Sequence, residues 1–432
     1  MGNGIALVVL QAVAALDARR NGLPGSGEFS LVLIDQSRES LERLRGYLKA
    51  QLLKFAEKRI ANLREWARDR KDLVENGEII EAYVSGSLSL VRFDNALEGA
   101  REARVVFEAV FEDLQVKTDI YWKLKGICPK DAVFLSNTSS IPISTLDRSA
   151  DLTGRIIGYH FYNPPAVQKL VEVITSPDTR PDVVQLAHDL GKVFEKTLVP
   201  AHDIAGFIGN GHFIREGLFA LEKYQELRIS FDGAQALFLI NAVTQDFLVR
   251  PMGMFQLLDY VGLDVFQMIL KIMGRYIPAE VFASEVIDGM LAEGIRGGQA
   301  GSGEQKDGFF QYERNRRKAV YDPDAKAYVP LDDERFKQTL EWLGPHPKGH
   351  ASWSVLIKDL ARQEKLAAYF AEMRKLDTPG ARLSLAFLAN SRRIAEGLVL
   401  TGVADSQEQI TAVLMHGFYH LYGPVNPFLG GT

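Results

Sequence analysis

His160 and Glu172 lie twelve residues apart, the first closing the apolar run that begins Ile156-Ile-Gly-Tyr159 and the second inside Leu170-Val-Glu-Val-Ile174. A carboxylate beside an imidazole fixes the ring's tautomer and supports a positive charge on it. A base that takes a proton from an alcohol and returns it in reverse needs that support. Ser139, in Ser136-Asn-Thr-Ser-Ser140, and Asn210, in Gly206-Phe-Ile-Gly-Asn210, could hydrogen-bond the reacting oxygen. The plainer reading makes His160 a core histidine with an internal partner and Ser139 a turn residue. Spacing alone leaves both readings open.

Each of these polar groups follows a strand or opens a helix. Residues 4–20 read as a helix, broken by Asn21 to Gly27, and Phe29-Ser-Leu-Val-Leu-Ile-Asp35 reads as a buried strand ending in an acid. Leu41, Leu44, Leu48, Leu52 and Phe55 recur at helical spacing in a charged segment, 38–75, which predicts an extended helical arm. Short apolar strands follow at Val105–Val110, Ala132–Leu135, Ile156–Tyr159 and Leu170–Ile174, with helical stretches at 113–127 and 181–196. This alternation predicts an α/β, Rossmann-type doubly wound sheet, whose ligands bind at the carboxyl ends of the strands. Asp35 ends what would be the second strand of a dinucleotide fold, where an acid bonds the adenosine ribose and favours NAD over NADP.

Beyond residue 203 strand signals nearly stop, and all-α C-terminal domains are expected. The division predicted is 1–202 (dinucleotide-binding domain, arm at about 38–80), 203–305 (helical), 306–350 (connector, with a hairpin near Tyr321-Asp-Pro-Asp324) and 351–432 (second helical domain). Asn210-Gly-His-Phe-Ile-Arg-Glu216-Gly-Leu218 matches Asn390-Ser-Arg-Arg-Ile-Ala-Glu396-Gly-Leu398, and Pro251–Phe255 matches Pro424–Phe428. These pairs suggest a degenerate internal duplication.

Composition narrows the classes. The 432 residues carry 50 Lys+Arg against 55 Asp+Glu, a net charge of −5, which argues against a nucleic-acid binder. One cysteine, Cys128, excludes an internal disulfide and a zinc cage and fits a reducing, cytoplasmic setting. The apolar stretch Gly4–Leu16 is shorter than a membrane span and lacks a basic n-region, so neither membrane insertion nor a signal peptide is expected. His416 and His420 have metal-ligand spacing without a third ligand, so packing is expected there and no metal.

Taken together the motifs resemble the L-3-hydroxyacyl-CoA dehydrogenase family. Glu108-Ala-Val-Phe-Glu-Asp-Leu-Gln-Val-Lys117, Ser-Asn-Thr-Ser-Ser, His-Phe-Tyr-Asn-Pro, Leu-Val-Glu-Val-Ile and Pro251-Met-Gly-Met-Phe-Gln-Leu-Leu-Asp-Tyr-Val-Gly-Leu-Asp264 stand in the family order. The resemblance covers residues 1–310, and beyond them the repeat resembles members with two helical domains, including multifunctional β-oxidation enzymes. It implies NAD-dependent oxidation of a 3-hydroxyacyl-CoA to a 3-ketoacyl-CoA, with His160 as acid/base and Glu172 as its electrostatic partner. Ser139 and Asn210 would hold the substrate oxygen, and Asn163 would lie beside the nicotinamide. Gly2, Gly4, Asp35, Glu112 and Lys117 would serve the cofactor, and Lys58 the CoA nucleotide. A non-catalytic relative, or a dehydrogenase of another 3-hydroxy acid, is the alternative. The duplication suggests a monomer with an internal pseudo-dimer, against the alternative of a homodimer.

The chain departs from the family at its start. The family's fingerprint resembles Gly-x-Gly-Thr-Met-Gly-x-Gly-Ile-Ala, and this chain reads Met1-Gly-Asn-Gly-Ile-Ala6. The first strand and two glycines are then missing, which predicts unpaired edges on the neighbouring strands and an upstream start or a truncation. Ala205 replaces a proline, and Gly209 and Gly211 flank Asn210, which predicts a looser Asn210.

Overall fold

The structure is a computed structural model that describes residues 1–301 and 303–427. Phe428, the last residue of the expected repeat, lies outside the described residues. The chain divides into two compact units, Met1–Asp203 and Ile204–Thr432.

The first unit begins with α1 (Gly2–Asn21), β1 (Leu31–Ile34), α2 (Arg38–Lys58), α3 (Ile60–Trp66), α4 (Asn76–Ser89) and β2 (Val91–Asp94). It continues through β3 (Val105–Glu108), α5 (Leu114–Ile127), β4 (Val133–Ser136), α6 (Ile143–Ala150), β5 (Ile156–Phe161), β6 (Leu170–Thr175), α7 (Pro181–Val193) and β7 (Thr197–His202). Local chemistry starts several helices where they start. Ser37 caps α2 by accepting from the Ser40 amide at 3.2 Å, and Asp113 caps α5 by accepting from Val116 at 2.9 Å.

The strands form two sheets, a parallel pair β1-β2 and a five-stranded sheet in the order β3-β4-β5-β6-β7. All pairs are parallel except β5-β6, which is antiparallel. Among the described residues β1 and β3 each have a strand on one side only. Helix α1 packs against both sheets. Its Ile5 and Val8 join the core formed with Val133, Tyr159 and Val173, and its Ala6, Leu7 and Leu10 join the core of α2 and α4. Only this helix, among the described residues, reaches the length and apolarity of a membrane span, with twenty residues. The expectation weighed a shorter run, and this packing accounts for the apolar residues.

The charged segment after β1 is not an extended arm. Arg59 interrupts it, and α2 and α3 fold back on α4 through Leu44, Leu48, Leu52, Leu63, Ile79 and Tyr83. Each leucine buried there contributes about 1.5–3 kcal/mol, enough to favour a compact arrangement over a lone rod.

The second unit runs α8 (Gly209–Leu227), α9 (Gly233–Ala242) with a π turn at Val243–Phe247, α10 (Met254–Val261), α11 (Leu263–Tyr276) and α12 (Glu285–Ala292). Then come β8 (Phe310–Glu313), β9 (Arg316–Asp322), β10 (Ala327–Pro330), α13 (Glu334–Leu343), α14 (Trp353–Leu356), α15 (Arg362–Met373), α16 (Pro379–Leu400) and α17 (Gln407–Gly417). The segment expected as a connector holds a three-stranded antiparallel sheet, with the predicted hairpin as β9-β10. One apolar core draws on both helical stretches, from Phe213, Phe255 and Leu270 to Phe370 and Phe387, and takes in Phe309, Val320 and Phe336 between them. The two stretches with matching motifs meet as α8 and α16. His212 Nε2 lies 2.9 Å from Ser391 Oγ, and the Phe219 and Phe387 rings meet edge-on at 5.0 Å.

Candidate active site

His160 is the fifth residue of β5, and Glu172 faces it across the antiparallel pairing with β6. Residues alternate faces along a strand. Tyr159, Phe161, Val171 and Val173 join the apolar core with α1 and α7, which leaves His160 and Glu172 together on the other face. His160 Nδ1 lies 3.0 Å from Glu172 Oε2, and the Glu172 side chain is wholly buried while that of His160 is 11% exposed. Tyr162, just past the strand, donates its hydroxyl to the same Oε2 at 2.7 Å. Burial, then the Glu172 charge, holds the Tyr162 hydroxyl well above the usual phenol range, so it remains a donor.

Ser139 lies in the loop between β4 and α6, and a carboxylate shapes that loop. Glu112 Oε1 accepts from Thr138 Oγ1 (2.6 Å), Ser139 N (2.8 Å) and Ser140 N (3.0 Å). Lys117 ties Glu112 to the strand beneath. Its ammonium lies 2.7 Å from Glu108 and 3.3 Å from Glu112, and its side chain is 1% exposed. Burial alone would depress this lysine, and the two carboxylates overcome that and hold it above its ordinary value. Glu108 Oε2 also accepts from Tyr121 and Ser136. Lys117 therefore reaches the site through Glu108 and Glu112.

A second loop, 163–168, is fastened from two sides. Lys196 donates to the carbonyls of Pro165 and Gln168, each at 2.6 Å, and Pro165 rests on the first turn of α1. Burial, then nearby Lys169, lowers the Lys196 ammonium to about 8. A side chain at Gly4 would come within 2.6 Å of Pro165, so only glycine admits this approach. A side chain at Gly2 would meet only Ala109, at 4.0 Å, so the start of α1 lies open beside the carboxyl end of β3. Asp35, exposed just past β1, accepts from the Ser37 amide at 2.8 Å. An open helix N-terminus at a strand's carboxyl end suits a pyrophosphate, and an exposed acid after β1 suits a ribose. The residues present thus fit a dinucleotide. Asn163, the first residue of the 163–168 loop, is exposed.

In the second unit Asn210 stands in the first turn of α8, half-buried. The flanking Gly209 and Gly211 are buried, and a side chain at Gly211 would lie 3.1 Å from Leu398 Cδ2. The glycine expected to loosen Asn210 thus makes room for α16. Lys58 is exposed at the last residue of α2. His416 belongs to α17 and buried His420 lies beyond its end, so the two do not share a helix face. No group of metal-ligating side chains occurs among the described residues.

Sequence reasoning named His160, Glu172, Ser139 and Glu112 but passed over Tyr162, Glu108 and Lys196. Tyr162 carried a usable signal, since it lies two residues from His160 in an extended stretch. Glu108 opened the quoted Glu108–Lys117 motif without being singled out, and Lys196 gave no signal, because the carbonyls that it holds belong to Pro165 and Gln168, far back along the chain.

The family described as 3-hydroxyacyl-CoA dehydrogenase, NAD binding domain, matches residues 25–204, and its C-terminal domain matches residues 211–307. The probable 3-hydroxybutyryl-CoA dehydrogenase of Bacillus subtilis is 31% identical over 263 residues, 58% of this chain and 82% of that protein. Human mitochondrial hydroxyacyl-coenzyme A dehydrogenase is 30% identical over 241 residues, 56% of this chain and 71% of that one. In fold, the chain is similar to the crystal structure of 3-hydroxybutyryl-CoA dehydrogenase from Escherichia coli K12, with a TM-score of 0.64 at 22% identity over 98% of this chain and 88% of that one. With both of the family's domains matched in order, the chain belongs to the 3-hydroxyacyl-CoA dehydrogenase family.

Proposed function

We propose that this chain carries out the reversible, NAD-dependent oxidation of a 3-hydroxyacyl-CoA to a 3-ketoacyl-CoA, a step of fatty-acid β-oxidation. The observation that carries the reading is the 3.0 Å contact between His160 Nδ1 and the buried Glu172 carboxylate. A carboxylate only accepts, so Nδ1 carries the proton and Nε2 is the basic nitrogen. His160 Nε2 takes the hydroxyl proton of the substrate as the C3–O bond becomes a carbonyl, and returns it in reverse. NAD, when bound, supplies the acceptor for the hydride that leaves C3. Glu172 stabilises the imidazolium, and Ser139 holds the substrate oxygen. Asn163 borders the nicotinamide, Asp35 takes the adenosine ribose, Gly2 leaves room for the pyrophosphate, and Gly4 lets Pro165 close on α1. Glu112 and Lys117 set the Ser139 loop, and Lys58 meets the CoA nucleotide.

The test is the absorbance of reduced nicotinamide with acetoacetyl-CoA. His160→Ala should lower the rate by about 10²–10⁴-fold, the usual contribution of a general base. Unchanged activity in that variant overturns the mechanism. A second reading is a relative that keeps the fold and is impaired in cofactor binding. Titration with NADH separates the two, since failure to bind supports the second.

The same reading makes the chain a cytoplasmic monomer. The buried thiol of Cys128, which forms no disulfide and donates to the Ala100 carbonyl, supports a reducing compartment, and the contact of α8 with α16 supports an internal pseudo-dimer. A stable homodimer in light scattering would count against the monomer.

A further inference from the structure

We propose that Tyr162 is a positioning residue that sets how tightly Glu172 holds the His160 imidazole, and with it the pH at which the histidine exchanges its proton. The inference rests on the acid/base reading of His160. Tyr162 Oη and His160 Nδ1 meet one and the same oxygen, Glu172 Oε2, at 2.7 and 3.0 Å. The arrangement follows from the backbone. Residues 160 and 162 are two apart along an extended chain and project to one side, and Glu172 is the register partner of His160. The two rings lie 5.0 Å apart.

Glu172 is completely buried, so water does not dilute these contacts and its charge is divided among protein donors. A second donor on Oε2 weakens the hold of that oxygen on the imidazolium. Other charged groups near this face are engaged elsewhere. On α6, Asp147 accepts from the Gly154 amide at 3.1 Å, and Asp203, past β7, caps α6 through the Ile143 and Ser144 amides. The β7 register partner of Glu172 is the apolar Val199, and α7, with Asp182, His188, Asp189 and Lys192, packs on the opposite face through Val183 and Ala187.

Tyr162→Phe keeps the ring and removes the donor. With one hydrogen bond to the carboxylate lost, the acid limb of the kcat/KM profile for oxidation should move up by roughly 0.5–1 pH unit. The rate falls about three- to ten-fold on that limb, and the plateau stays nearly level. In the reverse reduction, which uses the imidazolium, activity should extend to higher pH. The titration of the His160 ring, followed by NMR in the protein without cofactor, should move the same way. A difluorotyrosine at position 162, a stronger donor that preserves packing, should move both readouts down. Profiles and ring titration unmoved in both variants, or a change confined to the plateau or to thermal stability, would mean that Tyr162 only packs and would overturn the inference. His160→Ala keeps the two ideas apart. Loss of activity there with an unmoved Tyr162→Phe profile rejects the role of Tyr162 alone, whereas full activity rejects the acid/base reading and this inference with it.

Discussion

Each unit buries an ion pair, and the two pairs serve different ends. In the first, Lys117 neutralises Glu108 and Glu112, and Glu112 goes on to hold three groups of the Ser139 loop. In the second, Arg250 donates to Glu216 at 2.8 Å, beside His212, which reaches Ser391 on α16. Burial lowers His212, and pushes His420 well below its ordinary range, so this cluster gathers neutral imidazoles around one ion pair. The first network ends at a loop beside the dyad, and the second is sealed among helices. A buried charge is therefore no sign of chemistry by itself. What matters is whether the chain of contacts leads to a surface that a ligand can reach.

Substitution can break this contrast or sharpen it. The largest effect is expected from Arg250→Met, which leaves Glu216 buried without its partner. Such a loss costs about 3–5 kcal/mol, so the melting temperature should drop by roughly 10 °C while kcat of the folded enzyme holds. Lys117→Met should cost a similar amount, about 3–5 kcal/mol, because two carboxylates lose their cation. Here kcat should fall as well, by roughly ten-fold, as the Ser139 loop loosens. Equal kcat values in the two variants would erase the distinction between the networks.

Asp259 gives a subtler case, a buried acid whose hydrogen-bond donors among the described residues are all neutral. It accepts from the Phe309 and Phe310 amides and from Tyr312, and burial raises it to about 8. An unfolded aspartate titrates near 3.9, so between about pH 4 and 8 the folded chain holds a proton that the unfolded chain has released. This contribution is fullest at the acid end and is lost as pH rises through about 8. Asp259→Asn should flatten the decline of melting temperature from pH 5 to 8, and an unchanged slope would contradict the assignment. The smallest effect is expected from Lys58→Ala, about a two- to five-fold rise in KM for the CoA substrate with kcat unchanged, as fits one exposed charge.

Much of the first unit was legible because its strands are mainly apolar runs, as at Ile156–Phe161 and Leu170–Thr175, in which His160 and Glu172 stand out as buried polar residues. Strands β2 and β7 escaped notice because Val91-Arg-Phe-Asp94 is short and half-polar and β7 carries Pro200. Strand β9 begins with Arg316-Arg-Lys318, which reads as a solvated charge run, yet its second half enters the core. At the site, residue types and spacing marked His160 and Glu172. That the two are register partners, and that Tyr162 shares their oxygen, depends on strand pairing, which a distance along the chain does not encode. Lys117 was expected on the cofactor side, but its side chain is buried between Glu108 and Glu112, a placement that its position in the sequence does not reveal.

The narrow β1-β2 ribbon has a dynamic consequence. Two strands alone are marginal in water, so this pair stands by leaning on α1, α2 and α4. Its amides, Leu31–Ile34 above all, should exchange with solvent sooner than those of the five-stranded sheet. Asp35 lies at its tip, so a dinucleotide gripping that carboxylate would slow exchange along β1. Deuterium uptake there would register cofactor binding apart from any turnover.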